Sequence, residues 1–299
     1  MTLRQLQYLV AVADHRSFRR AAAACRVSQP SLSAQVAQAE RALGLKLFDR
    51  DRRRVLLTPA GETLLARARG LLLAADDLMV AGAALGDPLA GTLRIGVIPT
   101  IAPYLLPRVA PALRRAHRKL LVLWHEGRTL ELTAALREGR LDAALLALEA
   151  PLGDFERAPI GEDPFLLCAP RGHPLLRGRG PLPVSALAGA EVLVLDEGHC
   201  LREQALEVCS TSRAHETEFR ATSLNTLVQL VAAGAGVTLL PELAVRVEAR
   251  DVALATRRFA DPAPGRTLGL VFRRNTALAE ALRTLASTIG KAYGARRTS

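Results

Sequence analysis

The residues best suited to chemistry in this chain are two of its four cysteines, Cys200 and Cys209. They bracket the run Cys200-Leu201-Arg202-Glu203-Gln204-Ala205-Leu206-Glu207-Val208-Cys209, whose members are nearly all good helix formers. In a helix, nine positions at about 1.5 Å each hold the two Cα atoms roughly 13 Å apart, and at about 3.6 residues per turn the thiols point to opposite faces. A disulfide needs Cα atoms about 4.4–6.8 Å apart. The two thiols therefore bond only if the helix unwinds or shifts. A dithiol with that property is a two-state switch.

Gly198-His199 precede Cys200 at the expected helix N-terminus, where the helix dipole and His199 or Arg202 favour a thiolate. A low-pKa thiol with a partner elsewhere in the segment fits an oxidation sensor with an attacking and a resolving cysteine. On the residues alone two other readings stay open. Both cysteines could be small buried hydrophobes. Cys200, Cys209, His199 and His215 could instead hold a metal, although the short ligand spacings of structural zinc sites are missing. We expect no metal and no cofactor: the chain has no Gly-rich phosphate loop, and Gly234-Ala235-Gly236 is too short for a dinucleotide fingerprint.

These cysteines sit in a chain of 299 residues, long enough for two or three domains with real cores. Its hydrophobic fraction of 49% excludes a disordered chain, and four cysteines without a CxxC pair do not form a secreted disulfide framework. The N-terminus does not read as a secretory leader. The longest uncharged run, from Ala221 to Pro241, contains Asn225, Gln229, Gly234 and Gly236 and reads as a helix followed by a strand, not a membrane span. The expected setting is cytoplasmic.

The net charge of +11 is unevenly placed. Residues 1–57 hold 11 Arg or Lys against 4 Asp or Glu, a footprint for a polyanion. Residues 3–12 place Leu3, Leu6, Tyr8, Leu9, Val10 and Val12 around an amphipathic helix. Ser17 is placed to cap a second helix through Ala21–Ala24, and after a turn at Cys25–Val27, Ser28 is placed to cap a third over Gln29–Gln35. Pro30 is tolerated there because it lies in the first turn. Two short helices joined by a three-residue turn suggest helix-turn-helix, with Gln29, Pro30, Ser31, Ser33 and Gln35 as candidates for the surface that meets DNA. Two short apolar strands around Arg50, Arg52, Arg53 and Arg54 read as a wing that grips phosphates. Cys25, on an Ala-rich helix end, reads as core.

Thr58-Pro59 starts a further helix, expected to run to Leu85 before Gly86-Asp87-Pro88 ends it. Leu64, Leu65, Leu71, Leu72 and Leu78 give it an apolar stripe for pairing with another subunit, the alternative being a helix packed within its own domain. Beyond Leu93 short apolar runs alternate with helical segments: Leu93–Ile98, Leu121–Trp124, Ala143–Leu148, Leu166–Ala169, Glu191–Leu195, Val237–Leu240 and Leu268–Phe272. This pattern argues for α/β units with parallel or mixed sheets, enough for two small sheets with a cleft between them.

At the level of motifs the chain resembles the LysR-type transcriptional regulators over its whole length. The matching blocks include Phe18-Arg19-Arg20-Ala21-Ala22, Val27-Ser28-Gln29-Pro30-Ser31-Leu32-Ser33, Ile98-Pro99-Thr100 and Gly198-His199-Cys200-Leu201-Arg202. Phe219-Arg220-Ala221-Thr222-Ser223-Leu224, Thr238-Leu239-Leu240-Pro241 and Arg266-Thr267-Leu268-Gly269-Leu270-Val271 match as well. The block around Cys200, with a second cysteine nine positions on, is specific to the peroxide-sensing branch of that family. The chain departs from the branch at Ser210-Thr211-Ser212, where relatives carry an aromatic residue, and around Thr129.

The resemblance implies an α/β protein with a winged helix-turn-helix over 1–57, a linker and dimerisation helix over 58–88, and a regulatory domain over 89–299. That regulatory domain would have two subdomains of periplasmic-binding-protein type. It implies Cys200 as the peroxidatic residue, Cys209 as the resolving one, and Thr100, Thr129, His199 and Arg266 as the lining of a peroxide pocket. Implied partners are double-stranded promoter DNA, hydrogen peroxide, RNA polymerase, a glutaredoxin- or thioredoxin-like reductant, and further copies in a homodimer or homotetramer. The function implied is a regulator, not an enzyme. One rival is an ordinary regulator of this family that binds a small metabolite in the cleft, with passive cysteines. Another is a thiol peroxidase, against which the basic N-terminal unit argues.

Overall fold

The structure is a computed structural model that describes residues 1–51, 54–84, 89–250 and 252–294, with Arg50, Asp51, Arg54, Val80, Ala83 and Ala84 described by backbone alone. The chain divides into two compact units, Met1–Leu85 and Gly86–Ser299.

In the first unit α1 (Leu3–His15), α2 (Phe18–Ala24) and α3 (Gln29–Leu43) are followed by a two-stranded antiparallel sheet of β1 (Phe48–Asp51) and β2 (Arg54–Leu57), and then by α4 (Pro59–Ala84). The expected caps form: Ser17 Oγ accepts from the Arg20 amide at 3.4 Å and Ser28 Oγ from the Ser31 amide at 3.3 Å. Thr58 Oγ1 accepts from the Gly61 amide at 3.0 Å, so Pro59 occupies the first helical position, where its missing N–H costs nothing. Leu6, Leu9 and Val12 of α1, Leu32 and Val36 of α3, and Leu65 and Ala68 of α4 form one buried core. Cys25 is half-buried against it.

The apolar stripe expected on α4 divides. Leu65 is buried and Leu64 and Leu72 pack on the core, while Leu71, Leu78 and Met79 are exposed. The expected helix end at Leu85 to Pro88 lies outside the described residues.

The second unit is a pair of α/β lobes. In the first lobe β3 (Gly91–Val97) lies parallel to β4 (Leu120–Glu126) and to β5 (Ala143–Ala147), with α5 (Ala102–Ala116) and α6 (Thr129–Arg137) as crossover helices. The chain then enters β6 (Glu156–Pro170), which belongs to both lobes. The second lobe follows with β7 (Glu191–Leu195), α7 (Cys200–Ser212), β8 (His215–Ala221), α8 (Leu224–Ala232), β9 (Thr238–Pro241), α9 (Glu242–Glu248) and β10 (Leu254–Arg258). Finally β11 (Gly265–Phe272) and α10 (Ala279–Gly294) return to the first lobe.

Strand β6 joins the lobes. Its first part, Glu156–Pro164, pairs with β11, and its second part, Phe165–Pro170, pairs with β9 and β10. The return crossing runs beside it, with the Phe165 amide bonded to the Pro264 carbonyl at 2.8 Å. Each lobe has its own core. Leu105, Leu145 and Phe272 are among the buried residues of the first lobe, and Phe165, Leu193 and Leu240 among those of the second. The sequence reading missed β8, β10 and the first part of β6, although the alternating α/β pattern holds.

Candidate redox site

The helix that the cysteine spacing predicts is present: α7 begins at Cys200, runs through Cys209 and is capped by His199 in an extended conformation. All four cysteines are free thiols. Thr129 occupies the first position of α6, just as Cys200 occupies the first position of α7. The Thr129 hydroxyl acts on the Cys200 thiol and lowers its pKa, so two helix N-termini converge on one sulfur. The contact falls short of a formed hydrogen bond, and Thr129 Oγ1 is buried without a partner. Positive helix ends and the nearby Thr129 hydroxyl favour negative charge at this point.

Arg266, on β11 where the chain re-enters the first lobe, supplies the cation. Its guanidinium donates from Nη1 to Thr100 Oγ1 at 2.8 Å, from Nη2 to the Thr100 carbonyl at 3.0 Å, and from Nε to Asp163 Oδ2 at 3.0 Å. Asp163 also accepts from the Leu243 amide at 2.9 Å. The Arg266 and Asp163 side chains are both fully buried. Burial pushes the Asp163 carboxyl above its ordinary range, while Arg266 and the Leu243 amide pull against that rise. The sequence reading did not find Asp163. No local pattern marked it: a buried arginine needs a counter-charge, and Asp163 supplies it from 103 positions away.

The expected low-pKa thiol is not what the structure holds. Burial is the largest influence on Cys200 and raises its pKa; Arg266 and Thr129 oppose it, and Glu203 adds to it. Arg202, expected to help ionise Cys200, instead donates to Glu216 at 2.7 and 3.3 Å and to the Leu195 carbonyl at 3.2 Å, and so holds α7 onto the second lobe. His199 is buried, and burial first and Arg128 second lower its pKa. The pocket thus brings together Thr100, Thr129, Arg266 and Cys200, with His199 adjacent to Cys200 in the chain. The sequence reading also passed over Arg128, which resembles any solvated arginine.

The two thiols occupy different surroundings. Cys200 packs against the core of the first lobe, whereas Cys209 belongs to the core of the second, with Val208 and Leu201. Burial raises the Cys209 pKa as well, and Glu216 adds to it. The divergent segment after Cys209 completes the last turn of α7: Thr211 Oγ1 donates to the Glu207 carbonyl at 2.9 Å and Ser212 Oγ to the Cys209 carbonyl at 3.3 Å. Such back-bonding slightly weakens a helix end. Arg213 then caps it in the left-handed conformation, with φ of 59°. Exposed His215 lies on β8. Among the described residues no three His, Cys, Asp or Glu side chains are grouped as a metal ion requires.

On the DNA-facing candidates, Gln29, Pro30 and Ser31 are exposed at the start of α3, and Ser33 is half-buried. Gln35 is half-buried and accepts a hydrogen bond from Gln5 at 3.1 Å, which leaves it less free for a base edge. Arg52 and Arg53 lie outside the described residues, and the side chains of Arg50 and Arg54 are likewise not described. No described helix is long and apolar enough to cross a membrane.

Comparison with known proteins agrees with these features. Residues 3–62 match the bacterial regulatory helix-turn-helix protein, lysR family, and residues 86–293 match the LysR substrate binding domain. The chain is 46% identical over 292 residues to a protein of Mycobacterium avium named "Probable hydrogen peroxide-inducible genes activator", covering 97% of this chain and 94% of that one. It is 43% identical over 290 residues to the DNA-binding transcriptional dual regulator OxyR of Escherichia coli K12, covering 97% and 95%. A full-length OxyR from Pseudomonas aeruginosa, solved with a cysteine-to-aspartate substitution, superposes with a TM-score of 0.79 at 35% identity, covering 97% of this chain and 94% of that one. Crystal structures of OxyR in its oxidised and reduced forms cover 71% and 69% of this chain and 100% and 97% of theirs, with TM-scores of 0.64 and 0.63 at 41% and 40% identity. The chain belongs to the LysR family of regulatory helix-turn-helix proteins, within the group of the hydrogen peroxide-inducible genes activators.

Proposed function

We propose that this protein is a peroxide-responsive transcriptional regulator that a Cys200–Cys209 disulfide switches. The observation that carries the reading is the placement of the two thiols at opposite ends of one helix. One end meets a buried polar pocket in the first lobe, and the other is embedded in the apolar core of the second. The relatives' names and the pair of oxidised and reduced OxyR structures support it.

In the reaction proposed, Cys200 loses its proton and the thiolate attacks one oxygen of hydrogen peroxide. The O–O bond breaks, Cys200 becomes a sulfenic acid, and the departing hydroxide takes a proton to leave as water. The converging helix ends and Thr129 stabilise the charge, with Arg266 held in place by Thr100 and Asp163. Cys209 then attacks Cys200 Sγ, the S–O bond breaks, and a second water departs. Two electrons and two protons from a glutaredoxin- or thioredoxin-like dithiol restore the thiols.

Closure requires α7 to unwind, because the helix holds the two Cα atoms roughly 13 Å apart and a disulfide needs about 4.4–6.8 Å. The two lobes then repack, which alters the contacts between copies in a homodimer or homotetramer and so the promoter DNA and RNA polymerase they engage. Exposed Leu71, Leu78 and Met79 on α4 suit pairing between copies.

The test is a promoter footprint of reduced and oxidised protein side by side, with salt titration. Distinct footprints and a strongly salt-dependent affinity are expected, and Arg52→Ala with Arg53→Ala should flatten the log–log salt slope by about 0.9 per lost phosphate contact. Identical footprints in the two redox states would reject the switch.

A further inference from the structure

We propose that Arg128 is the clasp that holds the Cys200 turn against the first lobe, a positioning residue that limits the rate of disulfide closure. The inference rests on the reading above that Cys200 and Cys209 form the disulfide. Arg128 caps α6 in an extended conformation, and its own amide donates to Glu131 Oε2 at 3.1 Å. From there its side chain crosses to the second lobe. Nη1 donates to the Glu197 carbonyl at 2.9 Å and Nη2 to Asp196 Oδ2 at 3.3 Å, on the turn that leads into α7.

Gly198 makes this approach feasible in two ways. Its φ of +88° lies where only glycine is at ease, and a Cβ built there would come within 3.0 Å of Arg128 Cδ and 3.1 Å of Nη1. The arginine therefore lies along the backbone just ahead of His199 and Cys200. The next residue after Arg128 is Thr129, the hydroxyl that acts on the Cys200 thiol. One turn of α6 thus supplies both the pocket hydroxyl and the tie that keeps the cysteine beside it. The other tie on α7, Arg202 to Glu216, lies within the second lobe and travels with the helix.

Closure brings Cys200 to Cys209 in the second lobe's core, where the Asp196 amide is already held by the Ala221 carbonyl at 2.8 Å; in this proposal the turn at 196–199 withdraws from α6 with that lobe, and both Arg128 bonds break. Cys209 attacks Cys200 Sγ, the S–S bond forms as the S–O bond of the sulfenic acid breaks, and the hydroxyl leaves as water with the Cys209 proton. Arg128 is thus engaged in the reduced form alone. Removing it should speed closure and favour the disulfide. Its side chain is 41% exposed, so the tie is of moderate strength and suited to release.

The experiment uses the full chain. Hydrogen peroxide is mixed rapidly with wild type, Arg128→Ala, Arg128→Lys and Asp196→Ala, and sulfenic acid and disulfide are quantified separately by quenching. The midpoint potential is read in dithiothreitol redox buffers. Arg128→Ala should close on the order of tenfold faster and titrate about 30 mV more negative, the two-electron equivalent of a tenfold change in equilibrium constant. Arg128→Lys should return part of both effects. Asp196→Ala, which keeps the bond to the Glu197 carbonyl, should move both in the same direction by less. Closure that is unchanged or slower in both alanine variants would overturn the clasp. A wild type with no Cys200–Cys209 disulfide would instead overturn the function proposed above, and the clasp with it.

Discussion

The two ends of α7 are built from opposite materials. At Cys200 the surroundings are polar and buried: Thr100, Thr129, Arg266 and Asp163 are each at most 7% exposed and come from four distant parts of the chain. At Cys209 they are apolar, with Leu201, Ala205 and Val208 from the same helix packed into the second lobe. A reacting sulfur needs charge stabilisation that its own helix cannot supply, so distant segments assemble it. A resolving sulfur needs only to stay protected until the helix opens, and local hydrophobic packing suffices.

The largest contrast expected is chemical. Cys200→Ser should consume no peroxide, whereas Cys209→Ser should react once and stop at sulfenic acid or go on to sulfinic acid. A sulfenic-acid probe on each variant checks this, and labelling at Cys209 in Cys200→Ser would reverse the assignment.

Stability gives the next contrast. Arg266→Met leaves Asp163 as an unpaired buried carboxylate and should cost about 3–5 kcal/mol in denaturant unfolding. Cys209→Ala, which removes one sulfur from an apolar site, should cost about 1 kcal/mol. Equal losses would mean that the polar end is no more interdependent than the apolar one.

A third effect concerns pH. Because burial raises the Cys200 pKa, its alkylation by iodoacetamide in the Cys209→Ser background should climb steadily through neutral pH, without a plateau below the ordinary thiol value of about 8.5. Arg266→Met should push the inflection further up, since Arg266 is the largest influence holding it down. A plateau below pH 7 would show a preformed thiolate.

The smallest effect belongs to His199. Its folded pKa lies below its unfolded one, so the unfolded chain binds the proton first as pH falls. This linkage costs nothing above the ordinary histidine value of about 6.5 and destabilises the fold as pH falls through it. His199→Gln should remove that part of the acid sensitivity, read as a smaller drop in Tm between pH 7 and 5.5.

The apolar end was the more legible in the sequence. Helix formers between Cys200 and Cys209 predict α7, and Ser17, Ser28 and Thr58 predict their caps, because these signals are local. The polar end was legible only in part. Arg202 looked like the cation beside Cys200 because it is near in sequence, but the residue that acts is Arg266, brought there by β11. The side chains of Asp163 and Arg128 carried no local signal, since their bonds at the site reach partners more than 60 positions away. Strand β8, His-Glu-Thr-Glu-Phe-Arg-Ala, was missed because it is largely exposed beside β7 and lacks an apolar run. The first part of β6 was missed because Pro159, Gly161 and Pro164 interrupt any apolar run, although they accompany a strand on its way between two lobes.

The central claim is that peroxide joins two thiols that the resting helix keeps apart. Trypsin cuts after Arg179, Arg202 and Arg213, which places Cys200 and Cys209 in separate peptides. After treatment with one equivalent of hydrogen peroxide, quenching with an alkylating agent and digestion without reductant, mass spectrometry should find Gly180–Arg202 joined to Glu203–Arg213. Dithiothreitol should release the pair. Alkylated, unlinked peptides at both positions after complete peroxide consumption would contradict the account.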